Sequence, residues 1–239
     1  MQAAPRAMTE QPLMTAIDAA LRQAIALDAP LDQRLGLIRD AVGALSAEFA
    51  TAVDRLVARL EAGGAGAAAP APGQPMPPFV LPDEAGRLVA MPRLLAAGPL
   101  VVNFHRGHWC PYCRLHRAAL AETAPAITAA GASLVIITPE RGRYGARMRA
   151  EAEDRFPVLT DMDNGYAMSL NLAIWLGAEL QAMLGGAGWD LAAYQGNPAW
   201  MLPVPATFVV GTDGLVVARH VDPDYRRRMA VEDLLAALG

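Results

Sequence analysis

Cys110 and Cys113 are the only cysteines in 239 residues, and they stand as Cys110-Pro111-Tyr112-Cys113. Two thiols three residues apart return to one face of a helix, where they can close a small disulfide ring. Cys110 directly precedes Pro111, a residue suited to a first helical turn. A thiol at a helix N-terminus meets unpaired N–H groups and the positive end of the macrodipole, which favour thiolate. Cys110 is therefore expected to be the lower-pKa thiol. The flanking charges support a reactive pair. Residues 85–121 contain no Asp or Glu but hold five arginines (Arg87, Arg93, Arg106, Arg114, Arg117) and three of the four histidines (His105, His108, His116). Such an electropositive window lowers thiol pKa.

Zinc is the rival chemistry, because His108-x-Cys110-x-x-Cys113-x-x-His116 offers four ligand types. Structural zinc sites usually draw on two separated pairs, so no metal and no other cofactor is expected. Two cysteines cannot staple a chain of this length, which excludes a disulfide scaffold. Alanine supplies 49 residues, so the 54% hydrophobic content overstates the core. The net charge of −4 gives no support to nucleic-acid binding. There is no signal-peptide pattern and no run of 18 apolar residues, so no membrane partner and a cytoplasmic location are expected.

The elements that must position the pair follow from periodicity. Over residues 10–61, Leu13, Ile17, Leu21 and Ile25, then Leu35, Ile38, Val42 and Leu45, recur at helical spacing. Asp28-Ala29-Pro30 breaks the run, and Phe49, Val53, Leu56, Val57 and Leu60 extend the second helix or form a third. This N-terminal extension, residues 1–61, reads either as a helical cap or as an arm for docking or homodimer formation. The Ala/Gly/Pro-rich stretch that follows (residues 62–75, running on to Pro78) reads as a linker, flexible first and then extended. Residues 76–239 form an α/β domain. A hairpin is expected around Asp83–Gly86, buried strands at Leu100–Phe104 and Ser133–Thr138, and a helix over 111–130. A polar helix over 142–154, a strand at Phe156–Leu159 and a helix at Asn164–Leu172 come next. Residues 173–200 fit no regular pattern beyond a short helix. An antiparallel pair at Thr207–Val210 and Leu215–His220 and a helix over 231–238 complete a mixed sheet flanked by helices.

Three smaller features have plain readings. Asp161-x-Asp163-Asn164-Gly165 reads as a strand end and helix cap rather than a calcium loop. Arg226-Arg227-Arg228 reads as a solvated run or as partner of Asp222 and Asp224. Trp175, Trp189 and Trp200 read as packing residues, with Trp200 near enough to Pro205 to wall a site.

The strand, the Arg-Gly-x-Trp-Cys-Pro-Tyr-Cys segment and the later Leu202-Pro203-Val204-Pro205-Ala206-Thr207-Phe208-Val209-Val210 resemble the thioredoxin-like superfamily. More narrowly, they resemble peroxiredoxin-like proteins of the alkyl hydroperoxide reductase/thiol-specific antioxidant group. The likeness covers residues 76–239 and implies a thioredoxin-like fold with an N-terminal helical extension. It also implies a cis Val204–Pro205 bond beside the thiol pair, with adjoining backbone that pairs with a substrate. Two departures from the group stand out. Aligned from Phe104, Arg106 occupies the place of its proline, Cys110 that of its Thr/Ser, and Cys113 that of its peroxide-attacking cysteine. The group's peroxide-polarising arginine would fall near Pro205 and is missing, with Arg106 or Arg114 as substitutes.

The expected function is a thiol-dependent oxidoreductase that reduces peroxides or disulfides through a Cys110/Cys113 couple. The resemblance implies a thioredoxin-, glutaredoxin- or glutathione-type electron donor. Register favours Cys113 as peroxide attacker and helix position favours Cys110, so both are candidate catalytic residues. Arg106, His108, Trp109, Pro111, Tyr112, Arg114, Pro205 and Thr207 are candidates for tuning the thiolate or binding substrate. The alternatives are a disulfide reductase with little peroxidase activity, or a zinc-stabilised or redox-sensing interaction module.

Overall fold

Five strands form the central sheet, and the thiol pair sits where its first parallel strand runs out. The computed structural model describes residues 10–239. Three helices come first: α1 (Glu10–Ala26), α2 (Leu31–Leu45) and α3 (Ala47–Ala62). The break near Pro30 falls between α1 and α2, and Ser46 starts a separate α3 by accepting the Phe49 N–H at 3.1 Å. The Leu13 side chain lies outside the described residues, as do residues 1–9. Next come β1 (Val80–Pro82), β2 (Leu88–Ala90), α4 (Met91–Leu95), β3 (Leu100–Phe104), α5 (Pro111–Ala129) and β4 (Ser133–Thr138). They are followed by α6 (Gly142–Glu151), β5 (Val158–Thr160), α7 (Gly165–Ser169), β6 (Ala173–Trp175), α8 (Ala178–Gly186) and α9 (Leu191–Gln195). The chain closes with β7 (Met201–Pro203), β8 (Ala206–Val210), β9 (Val216–Val221) and α10 (Val231–Ala236).

The sheet order is β5-β4-β3-β8-β9, with β3, β4 and β5 parallel and β8 and β9 antiparallel. Every residue of β3 is buried, as an apolar run covered on both faces requires. Alternation sorts its side chains. Val101 joins Leu120, Ile127 and Met148 on the face covered by α5 and α6. Leu100, Val102 and Phe104 join Phe79, Leu170 and Phe208 on the other face. Asp161 accepts the Tyr166 and Ala167 N–H groups at 2.8 and 2.9 Å and so anchors the start of α7.

The N-terminal helices turn their apolar face inward. Ile17, Leu21, Leu35, Ile38, Val53 and Leu56 share one core with Trp109, Tyr112, Leu115, Leu180 and Trp189. Buried Arg34 ties this layer together by donating to the Ala24 carbonyl and to Glu122 of α5, both at 2.9 Å. Arg226 adds a bond to Asp54 at 2.8 Å. These helices are a cap over the start of α5.

Three expectations need correction. Residues 62–75 are not a free linker. Gly66 and Gly73 donate to the carbonyls of Asn171 and Val216, and Arg219 donates to the carbonyl of buried Ala69. Small side chains let this stretch lie flat on the domain, which composition alone reads as flexibility. Residues 173–200 are regular rather than patternless. They hold β6, α8 and α9, with β6 paired to β7 as a separate ribbon. Lastly, the Val204–Pro205 bond is trans. The Val204 N–H is held by the Leu172 carbonyl at 2.7 Å, directly after the paired β7, so the chain enters β8 already extended.

Candidate active site

Gly107 brings the loop after β3 against Glu140. It has φ +149°, and a Cβ there would lie 2.7 Å from the Glu140 carboxylate. The fully buried Glu140 accepts the His108 N–H at 2.7 Å and bonds His108 Nδ1 at 2.8 Å. The His108 ring stacks on Tyr144 with centroids 4.5 Å apart, and Tyr194 meets it edge-on. The loop that carries the thiols is therefore clamped before α5 begins. Cys110 is the residue that caps α5, and Pro111 opens its first turn.

Both sulfurs are buried, Cys110 at 1% exposure and Cys113 at 0%. Their surroundings differ. Cys113 Sγ accepts the Arg106 backbone N–H at 3.4 Å and the Arg228 guanidinium at 3.5 Å. Among the described residues Cys110 Sγ accepts from the Arg106 guanidinium alone, at 3.9 Å. Burial penalises a thiolate at either position. At Cys113 the Cys110 S–H, Arg228 and the Arg106 N–H outweigh it and hold the thiol well below its ordinary range. At Cys110 burial, and then the negative charge on Cys113, push the thiol well up. This reverses the expectation from helix position. The helix N-terminus is shared, whereas the two strong donors belong to Cys113 alone.

The acid-free window of the sequence is largely neutralised in space. Arg114 pairs with Asp18 of α1 at 2.5 Å, Arg117 with Glu151, and Arg87 with Asp83. Arg114 thus bonds a carboxylate rather than either sulfur. Arg106 differs: buried at 5% exposure, it lies 3.8 Å from the Tyr225 ring centroid and 5.1 Å from that of Trp109. Among the described residues no carboxylate bonds it, and the nearby sulfurs and Tyr225 keep its pKa raised against the cost of burial.

Arg228, in the run that sequence reads as solvated surface, is buried and lies on Cys113. Its neighbours do pair as expected, Arg226 with Asp224 and Arg227 with Asp222. No local signal separates the third arginine from the first two. No local signal marks Glu140 either, because it lies far along the chain from the motif it contacts.

The remaining candidates are dispersed. Thr207 accepts from Asn103 Nδ2 at 2.7 Å across the β3–β8 pair and bonds neither sulfur. Pro205 lines a small void that it shares with Arg106 and Tyr225. His116 stacks with His105 rather than with His108, their centroids 5.4 Å apart. The four residues of the zinc alternative are therefore not gathered, and among the described residues no group of three or more His, Cys, Asp or Glu is placed to hold a metal ion. Both His105 and His116 are held well below the usual imidazole range by burial and by neighbouring cations. A cavity of about 210 Å³ opens on Cys110, lined by Tyr112, Arg106 and the cap. Its tryptophan walls are Trp109 and Trp189, not Trp200.

The central mixed sheet flanked by helices, with β3 leading into α5, is a thioredoxin-like architecture of the peroxiredoxin kind. The chain belongs to the AhpC/TSA family, which it matches over residues 72–219. It is therefore an enzyme of the thiol peroxidase type. Among solved structures it is similar to the peroxidoxin BcpB from Mycobacterium tuberculosis, at 21% identity and TM-score 0.55, covering 71% of this chain and 96% of that one. It is also similar to reduced Prx3 in complex with H2O2 from Vibrio vulnificus, at 17% identity and TM-score 0.56, covering 71% and 99%. These likenesses show the shared fold. No curated protein matches the chain. Among the described residues no helix is long and apolar enough to cross a membrane.

Proposed function

We propose that the protein reduces peroxides through a Cys113 thiolate resolved by Cys110. The observation that carries this reading is the pair of donors on Cys113: the Arg106 N–H and the Arg228 guanidinium. Register supports it, since Cys113 stands at the family's peroxide-attacking position. Arg228 supplies a cation beside Cys113 in a chain that lacks the arginine near Pro205.

The Cys113 sulfur attacks the terminal peroxide oxygen, and the O–O bond breaks. Cys113 becomes a sulfenic acid while the leaving alkoxide develops charge near Arg106, whose guanidinium stabilises it. The alkoxide takes the Cys110 proton. Cys110, now a thiolate, attacks the Cys113 sulfur; a disulfide forms and hydroxide leaves, to be protonated by solvent. A dithiol donor of the thioredoxin or glutaredoxin type, or glutathione, then returns the pair to its reduced state. His108, held by Glu140, and Trp109, Pro111 and Tyr112 fix the loop and helix start around the sulfurs.

The test is to mix reduced protein with one equivalent of H2O2 and count thiols. Loss of both thiols with formation of an intramolecular disulfide, far faster than free cysteine reacts, is expected. Thiol loss at the rate of free cysteine, with rapid reduction of a model disulfide instead, would replace this reading with the disulfide-reductase one.

A further inference from the structure

The chain has fourteen aromatic residues, four Trp, five Tyr and five Phe. Five of them, Phe49, Trp109, Tyr112, Trp189 and Tyr225, line the cavity that opens on Cys110. They come from the cap, the active loop, α5, the turn after α8 and the segment after β9. In a chain so poor in aromatics this convergence is a built feature of the site. Among the described residues the only charge in the lining is the Arg106 guanidinium, which lies beside the Cys110 sulfur. Trp189 keeps a buried indole N–H with no acceptor among the described residues. Phe49 belongs to α3, outside the segment that matches the family, so this wall is an addition to the family's frame.

We propose that this cavity binds the organic body of an aromatic hydroperoxide and presents its O–O group to the thiol pair. The inference rests on the peroxidase reading above. Ring faces and edges in the wall favour an aromatic guest by offset and edge-to-face contact beyond the area buried. The volume of about 210 Å³ lies below that of pockets for drug-sized molecules, which suits one ring with short substituents. Arg106 and Cys110 form the charged end of the cavity, which fixes the peroxide group there and leaves the ring to Phe49 and Trp189. H2O2 has no body to place in the cavity and gains nothing from it.

The test compares cumene hydroperoxide, tert-butyl hydroperoxide and H2O2 as substrates of the full chain. A kcat/KM for cumene hydroperoxide about tenfold or more above the other two is expected, the scale of a few aromatic contacts. Phe49→Ala and Phe49→Leu should each reduce the cumene-to-H2O2 ratio several-fold; the leucine variant keeps apolar bulk and removes only the ring. As a readout independent of turnover, 2-phenyl-2-propanol should quench tryptophan fluorescence saturably, and more weakly in Phe49→Leu. Similar rates for the three peroxides, with no saturable quenching, would overturn the aromatic pocket and leave the peroxidase reading standing. No accelerated thiol loss with any peroxide, alongside saturable quenching, would overturn the peroxidase reading and the hydroperoxide assignment, and leave an aromatic-binding cavity.

Discussion

Cys110 and Cys113 sit one turn apart on α5 in unlike surroundings. The Cys113 side is a buried cationic socket, closed by the Arg106 N–H and Arg228. The Cys110 side is an apolar cavity walled by Phe49, Trp109 and Trp189. The socket controls how readily Cys113 ionises; the cavity controls what lies beside Cys110. Helix position acts on both thiols alike, so the difference comes from residues distant in sequence. Both regions draw on residues outside the family segment, since Phe49 precedes it and Arg228 follows it.

The contrast can be broken most severely at the sulfur itself. Cys113→Ser should lower peroxide reduction by more than about a thousandfold, as loss of a nucleophile does. Retained multi-turnover activity would dissolve the distinction between the two thiols. Removing the socket's cation is the next largest change. Arg228→Gln deletes a charge-assisted hydrogen bond of about 1.5–3 kcal/mol, which corresponds to an upward shift of about one to two pKa units. The pH profile of alkylation by iodoacetamide should move up accordingly, and Arg228→Lys should move it part of the way back. An unmoved profile would remove Arg228 from the account.

Acid should weaken the socket's floor by a different route. His105 and His116 are buried neutral, with folded pKa values below the unfolded value of about 6.5. Below that pH the unfolded chain binds protons that the folded one refuses, so stability falls as pH falls through about 6.5 and continues down to the folded pKa. Thermal midpoints should therefore drop between pH 7 and pH 5, and less so in His116→Asn. A flat midpoint would contradict the burial of these rings. The smallest effect should come from outside both regions. Trp175 is 51% exposed, with the Arg59 guanidinium 5.8 Å from its ring centroid, so Trp175→Ala should cost no more than about 0.5 kcal/mol in a denaturant titration. A larger loss would show that this exposed ring contributes as the cavity tryptophans do.

Much of this was legible in the chain. The apolar runs Leu100–Phe104 and Ser133–Thr138 are strands at those bounds, because a doubly covered sheet imposes an unbroken hydrophobic run. The CxxC spacing and the proline after Cys110 located the helix start. The strands β6 and β7 were not legible, since three residues each give no period to read. The run Arg226–Arg228 looked uniform, yet burial separates its third member, and burial is a tertiary property. The acid-free window misled in the same way. It counts charge along the chain, while Asp18 and Glu151 neutralise Arg114 and Arg117 from other helices. What survives as a cationic site is smaller and comes from two arginines 122 positions apart, Arg106 and Arg228.

The central claim is that Cys113, not Cys110, carries the thiolate that meets the peroxide. Its most direct test is to trap the first sulfenic acid with dimedone after one equivalent of peroxide, in Cys110→Ser and in Cys113→Ser, and to locate the adduct by peptide mass. The account expects a rapid adduct on Cys113 in Cys110→Ser and none in Cys113→Ser. A rapid adduct on Cys110 in Cys113→Ser, with Cys113 unreactive in the other variant, would contradict it.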